Sequence, residues 1–299
     1  MKIMLSGACG SIFPTYLKYI KNSNIDVLGI DIRENQLTRD ILGKNFLKSP
    51  SAEKSPELYI SFLKNNIHKF DFFFPYSDEE LVVLSQLDND SDLKKKIIIS
   101  PQKSINICND KTSFFVFALE NKFPVPKDSD LKDKIIKPVV GRGGKNIFRV
   151  NKGEMIFPFR ESEDWLVSDF IDGDEYSIDT VSDGKGNVID SIARLRIVSK
   201  GVSIESKIDM NQKVIKLAEM IVSSLHIFGP ANVQIIQEKI TKDLYVIEVN
   251  PRLSGGAIFS ALGGMDMIQL TLDFINNKKT NICKKNNGKY YFRYWLNTT

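Results

Sequence analysis

Residues 245–252 read YVIEVNPR, and this stretch decides the fold. Apolar and polar residues alternate as far as residue 250, so a strand here directs the carboxylate of Glu248 and the amide of Asn250 to one face. Arg252 follows the end of the strand, where a planar guanidinium can hold a phosphate or a developing oxyanion. An ordinary hairpin with a solvated Glu and Asn is the alternative for so short a motif, and the rest of the chain decides between them.

A second strand is predicted immediately upstream, at residues 232–238, with the sequence NVQIIQE. The turn signal ITKD lies between the two strands, and positions 234 and 248 are equidistant from Thr241. A tight hairpin centred there therefore brings Gln234 opposite Glu248. Mg²⁺ prefers oxygen ligands and keeps positions for water and phosphate. The sequence thus predicts a magnesium site formed by Gln234, Glu248 and Asn250.

Composition narrows the class of protein. The 299 residues carry a formal net charge of +4, with 26% charged and 42% hydrophobic residues. This balance is typical of a globular protein with two or three domains and indicates no nucleic-acid partner. No apolar run approaches the roughly 18 residues of a membrane helix and no signal peptide is evident, so we expect a cytoplasmic protein without a membrane partner. Three scattered cysteines and two histidines argue against a disulfide framework, a zinc site and a histidine-based triad.

The N-terminal third alternates short apolar runs with helical periods. Strands are predicted at residues 2–5, 27–31, 72–75 and 97–99, and helices at residues 12–21, 56–65 and 79–87. This rhythm predicts an α/β domain with a parallel sheet. The turn GACGS follows the first strand and Asp31 ends the second, so a nicotinamide site is an alternative. Because the spacing is not G-x-G-x-x-G, we prefer a loop that faces a small substrate.

A glycine-rich loop, GRGGK, occupies residues 141–145 between two predicted strands. Glycines allow backbone N–H groups to approach phosphate oxygens, and Lys137, Arg142 and Lys145 add positive charge around them. A flexible hairpin tip is the alternative, because glycines suit any turn. The Walker sequence G-x-x-x-x-G-K-[ST] is absent, so an ATP site here is not a P-loop.

Taken in order, these motifs resemble the ATP-grasp superfamily, in particular single-module relatives of the carbamoyl-phosphate synthase large subunit. The motifs are DK at 110–111, KP at 137–138, the loop at 141–145, DFI at 169–171, GDEY at 173–176, NVQ at 232–234 and EVNPR at 248–252. The resemblance covers nearly the whole chain. It implies a pre-ATP-grasp, Rossmann-like domain at residues 1–103, a small lobe with the glycine-rich lid at 104–180, and a C-terminal lobe with the metal site at 181–299.

The resemblance also implies roles for individual residues. It assigns ATP binding to Lys111, Lys137, Gly143, Gly144, Lys145, Ser168, Asp169, Phe170, Ile171 and Glu175. It assigns the metal to Gln234, Glu248 and Asn250, and catalysis to Lys137, Arg196 and Arg252. Within these sets, Lys111 and Lys137 are implied to contact the phosphates, residues 168–171 to present backbone groups to adenine, and Glu175 to hold the ribose hydroxyls.

The sequence departs from the family pattern at two positions. Asp169 stands where relatives usually carry Glu, so only the backbone contact is implied there. Gln234 stands where many ATP-grasp enzymes carry an acid, which lowers the charge around the metal and is expected to weaken a second ion. Arg194 and Arg196, on a predicted strand, are candidates for holding the substrate carboxylate or the acyl phosphate, with surface charge as the alternative.

The implied reaction is transfer of the γ-phosphoryl group of ATP to a carboxylate, followed by attack of an amine or thiol and release of ADP and phosphate. Closure of the lid would exclude water. The implied cofactors are ATP and one or two Mg²⁺ ions, with Mn²⁺ as a substitute. The partners are small-molecule substrates, and a homodimer is a common arrangement in the family. The alternative is an ATP-binding regulatory or scaffold protein without turnover, which the intact Glu248, Asn250 and Arg252 disfavour.

Overall fold

The computed structural model describes residues 1–10, 13–20, 25–141, 145–154, 156–200 and 202–293. The helices are α1 (Phe13–Ile20), α2 (Gln36–Leu42), α3 (Pro56–Asn65), α4 (Asp78–Ser85), α5 (Asp92–Lys95), α6 (Gln102–Asn109), α7 (Lys111–Glu120), α8 (Phe157–Arg160), α9 (Gln212–Ser224), α10 (Ala257–Leu262) and α11 (Met267–Ile275). The strands are β1 (Lys2–Ser6), β2 (Asp26–Asp31), β3 (Phe46–Lys48), β4 (Phe72–Phe74), β5 (Lys134–Pro138), β6 (Phe148–Val150), β7 (Trp165–Asp169), β8 (Gly173–Asp183), β9 (Val188–Lys200), β10 (Val202–Ile208), β11 (Phe228–Glu238), β12 (Leu244–Asn250) and β13 (Tyr290–Phe292).

The N-terminal domain is built on a parallel sheet with the strand order β3-β2-β1-β4. The predicted α/β rhythm is confirmed, with two differences. The structure adds α2, β3 and α5, which are too short to show a period in the sequence. The strand predicted at residues 97–99 is only a bridge between Phe73 and Ile97. Pro101 follows closely and has no N–H to continue a ladder.

Two antiparallel sheets follow. Strands β6-β5-β7 form a small sheet, and β12-β11-β8-β9-β10-β13 form a sheet of six strands. The boundary expected at residue 180 falls inside β8, which pairs along its length with β11 and through most of it with β9. We therefore propose that the small lobe ends at residues 170–172, between β7 and β8. The strand predicted at 290–295 is present as β13, and its last two positions lie outside the described residues.

Several helices begin at a side-chain cap, including the two next to the cleft, α4 and α7. Asp110 accepts a hydrogen bond from the backbone N–H of Ser113 at 2.6 Å and begins α7. Ser77 and Glu80 form a reciprocal capping box at the start of α4. Such caps satisfy N–H groups that have no partner within the helix. In the parts of the chain that are described, no helix combines the length and the apolar character needed to cross a membrane.

The N-terminal domain and the C-terminal lobe share one apolar core. Ile3 and Leu5 of β1 belong to the same buried cluster as Leu253, Ile258 and Ile268 from the chain after β12. Helix α9 packs with α7 against the six-stranded sheet in a second cluster. The first cluster spans both parts of the chain, and the carboxyl ends of the parallel strands line one cleft together with the end of β12.

Candidate active site

The hairpin of β11 and β12 brings the three predicted metal ligands together. Gln234 pairs with Glu248, and Asn232 pairs with Asn250, so the predicted register is confirmed. The amide of Gln234 donates to Oε1 of Glu248 at 2.6 Å, and the amide of Asn250 donates to the same oxygen at 3.0 Å. One carboxylate oxygen is therefore the meeting point of the set.

The chemistry of this set fits a magnesium ion bound together with a nucleotide. Oε1 of Gln234 accepts from Arg196 at 3.3 Å, and Oδ1 of Asn250 accepts from Arg252 at 3.2 Å. An amide carries its oxygen and its nitrogen at nearly equivalent positions, so rotation of either amide places an oxygen beside Glu248. One carboxylate and two amide oxygens leave positions for phosphate oxygens and water, as Mg²⁺ requires.

Two buried lysines share a cavity with Glu248. Lys137 on β5 is 5% exposed, and its ammonium group lies 3.4 Å from the carbonyl oxygen of Ile247 and 5.3 Å from the ring centre of Phe115. Burial lowers the pKa of Lys137 to about 8, opposed by Glu248 and assisted by Lys111. The ammonium group of Lys111, at the start of α7, donates to the carbonyl oxygen of Gly141 at 3.0 Å. Two adjacent buried cations favour a polyanionic ligand.

Arg196 connects Gln234, one of the predicted metal ligands, to Glu175. Its guanidinium forms an ion pair with Glu175 and lies within hydrogen-bonding distance of Gln234. Burial raises the pKa of Glu175 and the charge of Arg196 lowers it, with burial the larger effect. The side chain of Arg196 is only 14% exposed, so it is not a surface charge.

Arg194 has a different environment from Arg196. It is fully buried, and Asp179, also fully buried, accepts from its guanidinium at 2.9 Å. Ser177, Ser254 and Ser260 surround the same guanidinium. Arg194 is therefore part of an internal polar network. It is neither a surface strand charge nor a cation with its charge open to a substrate carboxylate.

Arg252 is held by a residue that the sequence did not single out. Its Nε and Nη2 donate to the two carboxylate oxygens of Asp78 at 2.7 and 2.9 Å, a bidentate pair. Asp78 is the first residue of α4 in the N-terminal domain. The only sequence signal was the capping box around it, which does not identify a partner far away in the chain. The guanidinium carbon also lies 5.9 Å from the ring centre of Tyr76.

The segment predicted to meet adenine is firmly held by the small lobe. Lys134 and Ser129 donate to the Asp169 carboxylate at 2.6 and 2.8 Å. The backbone N–H groups of Asp169 and Phe170 donate to the carbonyl oxygens of Lys127 and Asp133. Ser168 pairs with Ile135 in the β5–β7 ladder. The contacts of these residues and of Ile171 with adenine remain a prediction.

Two connected cavities surround these side chains. The first, of about 350 Å³, contains both buried lysines and is called the lysine cavity. Its charged and polar lining includes Lys111, Lys137, Lys145, Glu175, Arg196, Gln234 and Glu248. The second, of about 630 Å³, is called the inter-domain cavity and extends from Asn250 and Arg252 to Asp31 and Ser6 in the N-terminal domain. Lys145 and Glu248 line both. Arg142, Gly143 and Gly144 lie outside the described residues.

Comparison with known sequences identifies the domain that contains this site. A family model described as an ATP-grasp domain matches residues 108–256. The carbamoyl phosphate synthase large chain of Thermoanaerobacter pseudethanolicus is 27% identical over 215 residues, which cover 62% of this chain and 20% of that relative. The chain thus spans about a fifth of the length of that relative. Residues 108–256 form an ATP-grasp domain, and the resemblance stated from the sequence is confirmed.

Solved structures of the same fold cover nearly the whole chain. L-amino acid ligase from Bacillus licheniformis superposes with a TM-score of 0.66 at 18% identity, covering 91% of this chain and 73% of that one. Biotin carboxylase from Campylobacter jejuni superposes with a TM-score of 0.67 at 16% identity, and the match covers 91% of this chain and 70% of that one. N5-carboxyaminoimidazole ribonucleotide synthetase from Thermotoga maritima superposes with a TM-score of 0.66 at 15% identity, and the match covers 95% of this chain and 78% of that one. The chain therefore has a two-lobed ATP-grasp fold preceded by a Rossmann-like domain.

Proposed function

We propose that the protein is an ATP-dependent ligase that phosphorylates a carboxylate substrate and joins the acyl group to an amine or thiol. The convergence of two buried lysines with Gln234 and Glu248 in the lysine cavity, where Asn250 is hydrogen-bonded to Glu248, carries this proposal. A nucleoside triphosphate requires both cations and a hard metal ion. In support, a biotin carboxylase domain of the same fold, from Hydrogenobacter thermophilus, was solved with the magnesium salt of ADP.

The nucleotide and the acid are assigned to different cavities. Lys111 and Lys137 would bind the phosphates in the lysine cavity, and Glu175 would accept hydrogen bonds from the ribose hydroxyls. Mg²⁺ held by Glu248 and the two amides would neutralise phosphate charge. The acid would lie in the inter-domain cavity beside Arg252, whose guanidinium stabilises the charge that develops on the transferred phosphoryl group. Lys145 lines both cavities and so lies where the two substrates meet.

The proposed reaction has two steps. A carboxylate oxygen of the acid attacks the γ-phosphorus, the bond to the β–γ bridging oxygen breaks, and ADP leaves. The amine or thiol then attacks the acyl carbon, the bond to the phosphate oxygen breaks, and the nucleophile loses a proton. Here the chain contributes position and charge, because phosphoryl transfer needs little covalent chemistry from the protein. Exclusion of water preserves the acyl phosphate.

The experiment is a survey of ADP and phosphate release with candidate acids and nucleophiles. Glu248→Ala removes the central carboxylate, and we expect kcat to fall by at least about a hundredfold, because loss of one group that stabilises transition-state charge has that scale. Glu120→Ala, an exposed site on α7, is the matched control and should keep full activity. Full turnover by Glu248→Ala would refute the assigned site. ATP binding without release of ADP across the survey would refute the ligase.

A further inference from the structure

A small apolar pocket opens beside the inter-domain cavity. Its volume is about 50 Å³. Both parts of the chain build it, from the carboxyl ends of β1 and β4, from α1 and from the start of α10. The apolar lining consists of Leu5, Phe13, Phe74, Leu253 and Ala257, each of them buried.

Three of the polar side chains around the pocket have their hydroxyl groups paired within the protein. The hydroxyls of Ser6, Tyr16 and Ser254 donate to carboxylates of Glu80, Asp266 and Asp179 at 2.5, 3.2 and 3.1 Å. Because these groups already have partners within the protein, the pocket presents an apolar surface. Apolar cavities stay dry and accept apolar groups.

Tyr76 joins the pocket to the charged end of the inter-domain cavity. Its ring lines both spaces, and the guanidinium of Arg252 lies 5.9 Å from the ring centre. Gly7 has a φ of +75°, and a Cβ there would lie 2.9 Å from Cδ1 of Tyr76. The glycine therefore allows the ring to lie between the two spaces. An acid with its carboxylate at Arg252 would have its carbon chain directed along Tyr76 toward the pocket.

The volume limits the size of the group that fits. A cavity needs roughly 10–15 Å³ by this measure to hold one water molecule. The pocket therefore accommodates a group of a few heavy atoms, such as isopropyl or isobutyl. An aromatic ring or a long acyl chain would require the buried lining to move, and closely packed interiors resist that.

We propose that this pocket binds the side chain of the carboxylate substrate and selects acids with a small, branched aliphatic group. The inference rests on the proposed function for the location of the carboxylate. It assigns to the pocket residues a role in specificity rather than in the chemical step.

The test varies the size of one pocket residue. Ala257→Val fills part of the pocket, Ala257→Gly enlarges it, and Ala261→Val makes the same exchange one turn later on α10, outside the pocket lining. Affinities for acetate, propionate, isobutyrate and isovalerate, and for glycine, alanine, valine and leucine, are measured by calorimetry on the full chain with Mg²⁺ and a non-hydrolysable ATP analogue. ADP release is measured with the same acids and ATP.

We expect the wild type to bind the branched acids more tightly than acetate or glycine. Ala257→Val should weaken binding of isovalerate or leucine at least about tenfold, the scale of one methylene in an apolar site, and leave acetate and glycine unchanged. Ala257→Gly should shift the preference to the larger acids, and Ala261→Val should behave as the wild type. The free acids and the amino acids form separate arms, so their comparison shows whether an α-amino group is required.

The outcomes separate the pocket from the reaction. The expected size profile without ADP release would leave the pocket established and refute the ligase. ADP release that does not depend on the size of the acid, or equal effects of Ala257→Val and Ala261→Val, would overturn the pocket and leave the ligase intact. The pocket proposal would also be overturned if none of the acids bound.

Discussion

Lys137 shows how burial sets the response of a single residue to pH. Its pKa of about 8 means that the ammonium group loses its charge as the pH rises through that value. If Lys137 binds ATP phosphates, the affinity for an ATP analogue should fall above pH 8, by up to about tenfold to a hundredfold for one charged hydrogen bond. A titration of the analogue below and above this pH measures the effect. Lys137→Met should bind weakly at every pH, whereas Lys103→Met, at an exposed site on α6, should retain the wild-type profile.

The pair of Arg252 and Asp78 is a second test at the scale of the residue. Asp78→Asn removes the charge that orients Arg252, and we expect a loss of about 1–3 kcal/mol in the free energy of unfolding, the cost of a charged hydrogen bond. In an assay of the ligase, kcat should fall while KM for ATP changes little, because the lysine cavity is untouched. Asp92→Asn is the matched control, since Asp92 is also the first residue of a helix with a serine cap. Equal kcat values in both variants would contradict a positioning role for Asp78.

The elements differ in how far the sequence predicts them. The hairpin of β11 and β12 follows from local alternation around a turn, so the meeting of Gln234 with Glu248 was predictable. The contact of Arg252 with Asp78 spans 174 residues and leaves no periodic pattern. For the same reason the burial of Arg194 was not foreseen, because its partners come from three separate segments. The pattern of apolar and polar residues thus predicts the geometry of one hairpin, but it does not predict contacts between elements that are distant in the sequence.

The loop between β12 and α10 gives a prediction at the scale of the element. A Cβ at Gly256 would lie 2.1 Å from Nη1 of the buried Arg194, so Gly256→Ala must displace that guanidinium and its network. We expect a loss of about 1–3 kcal/mol in the free energy of unfolding, the usual cost of overpacking. At Gly141, an added Cβ meets only Pro138 at 3.6 Å, and Gly141→Ala serves as the control. Denaturant unfolding measures both, and an equal effect would show that close packing at Gly256 is not the cause.

At the scale of the whole molecule, one buried cluster joins β1 to α10 and α11, and we expect it to make the N-terminal domain and the C-terminal lobe one cooperative unit. Leu63 lies on the other face of the N-terminal sheet, in a buried cluster whose members all precede the C-terminal lobe. Ile268 belongs to the cluster that both parts of the chain share. If the molecule unfolds as one unit, Leu63→Ala and Ile268→Ala should each remove about 2–5 kcal/mol from the protection of both β1 and β11. Hydrogen exchange of the two strands measures this directly. Loss of protection confined to β1 in Leu63→Ala would mean that the domains unfold separately, and the inter-domain cavity would then lack the fixed walls that a selective pocket requires.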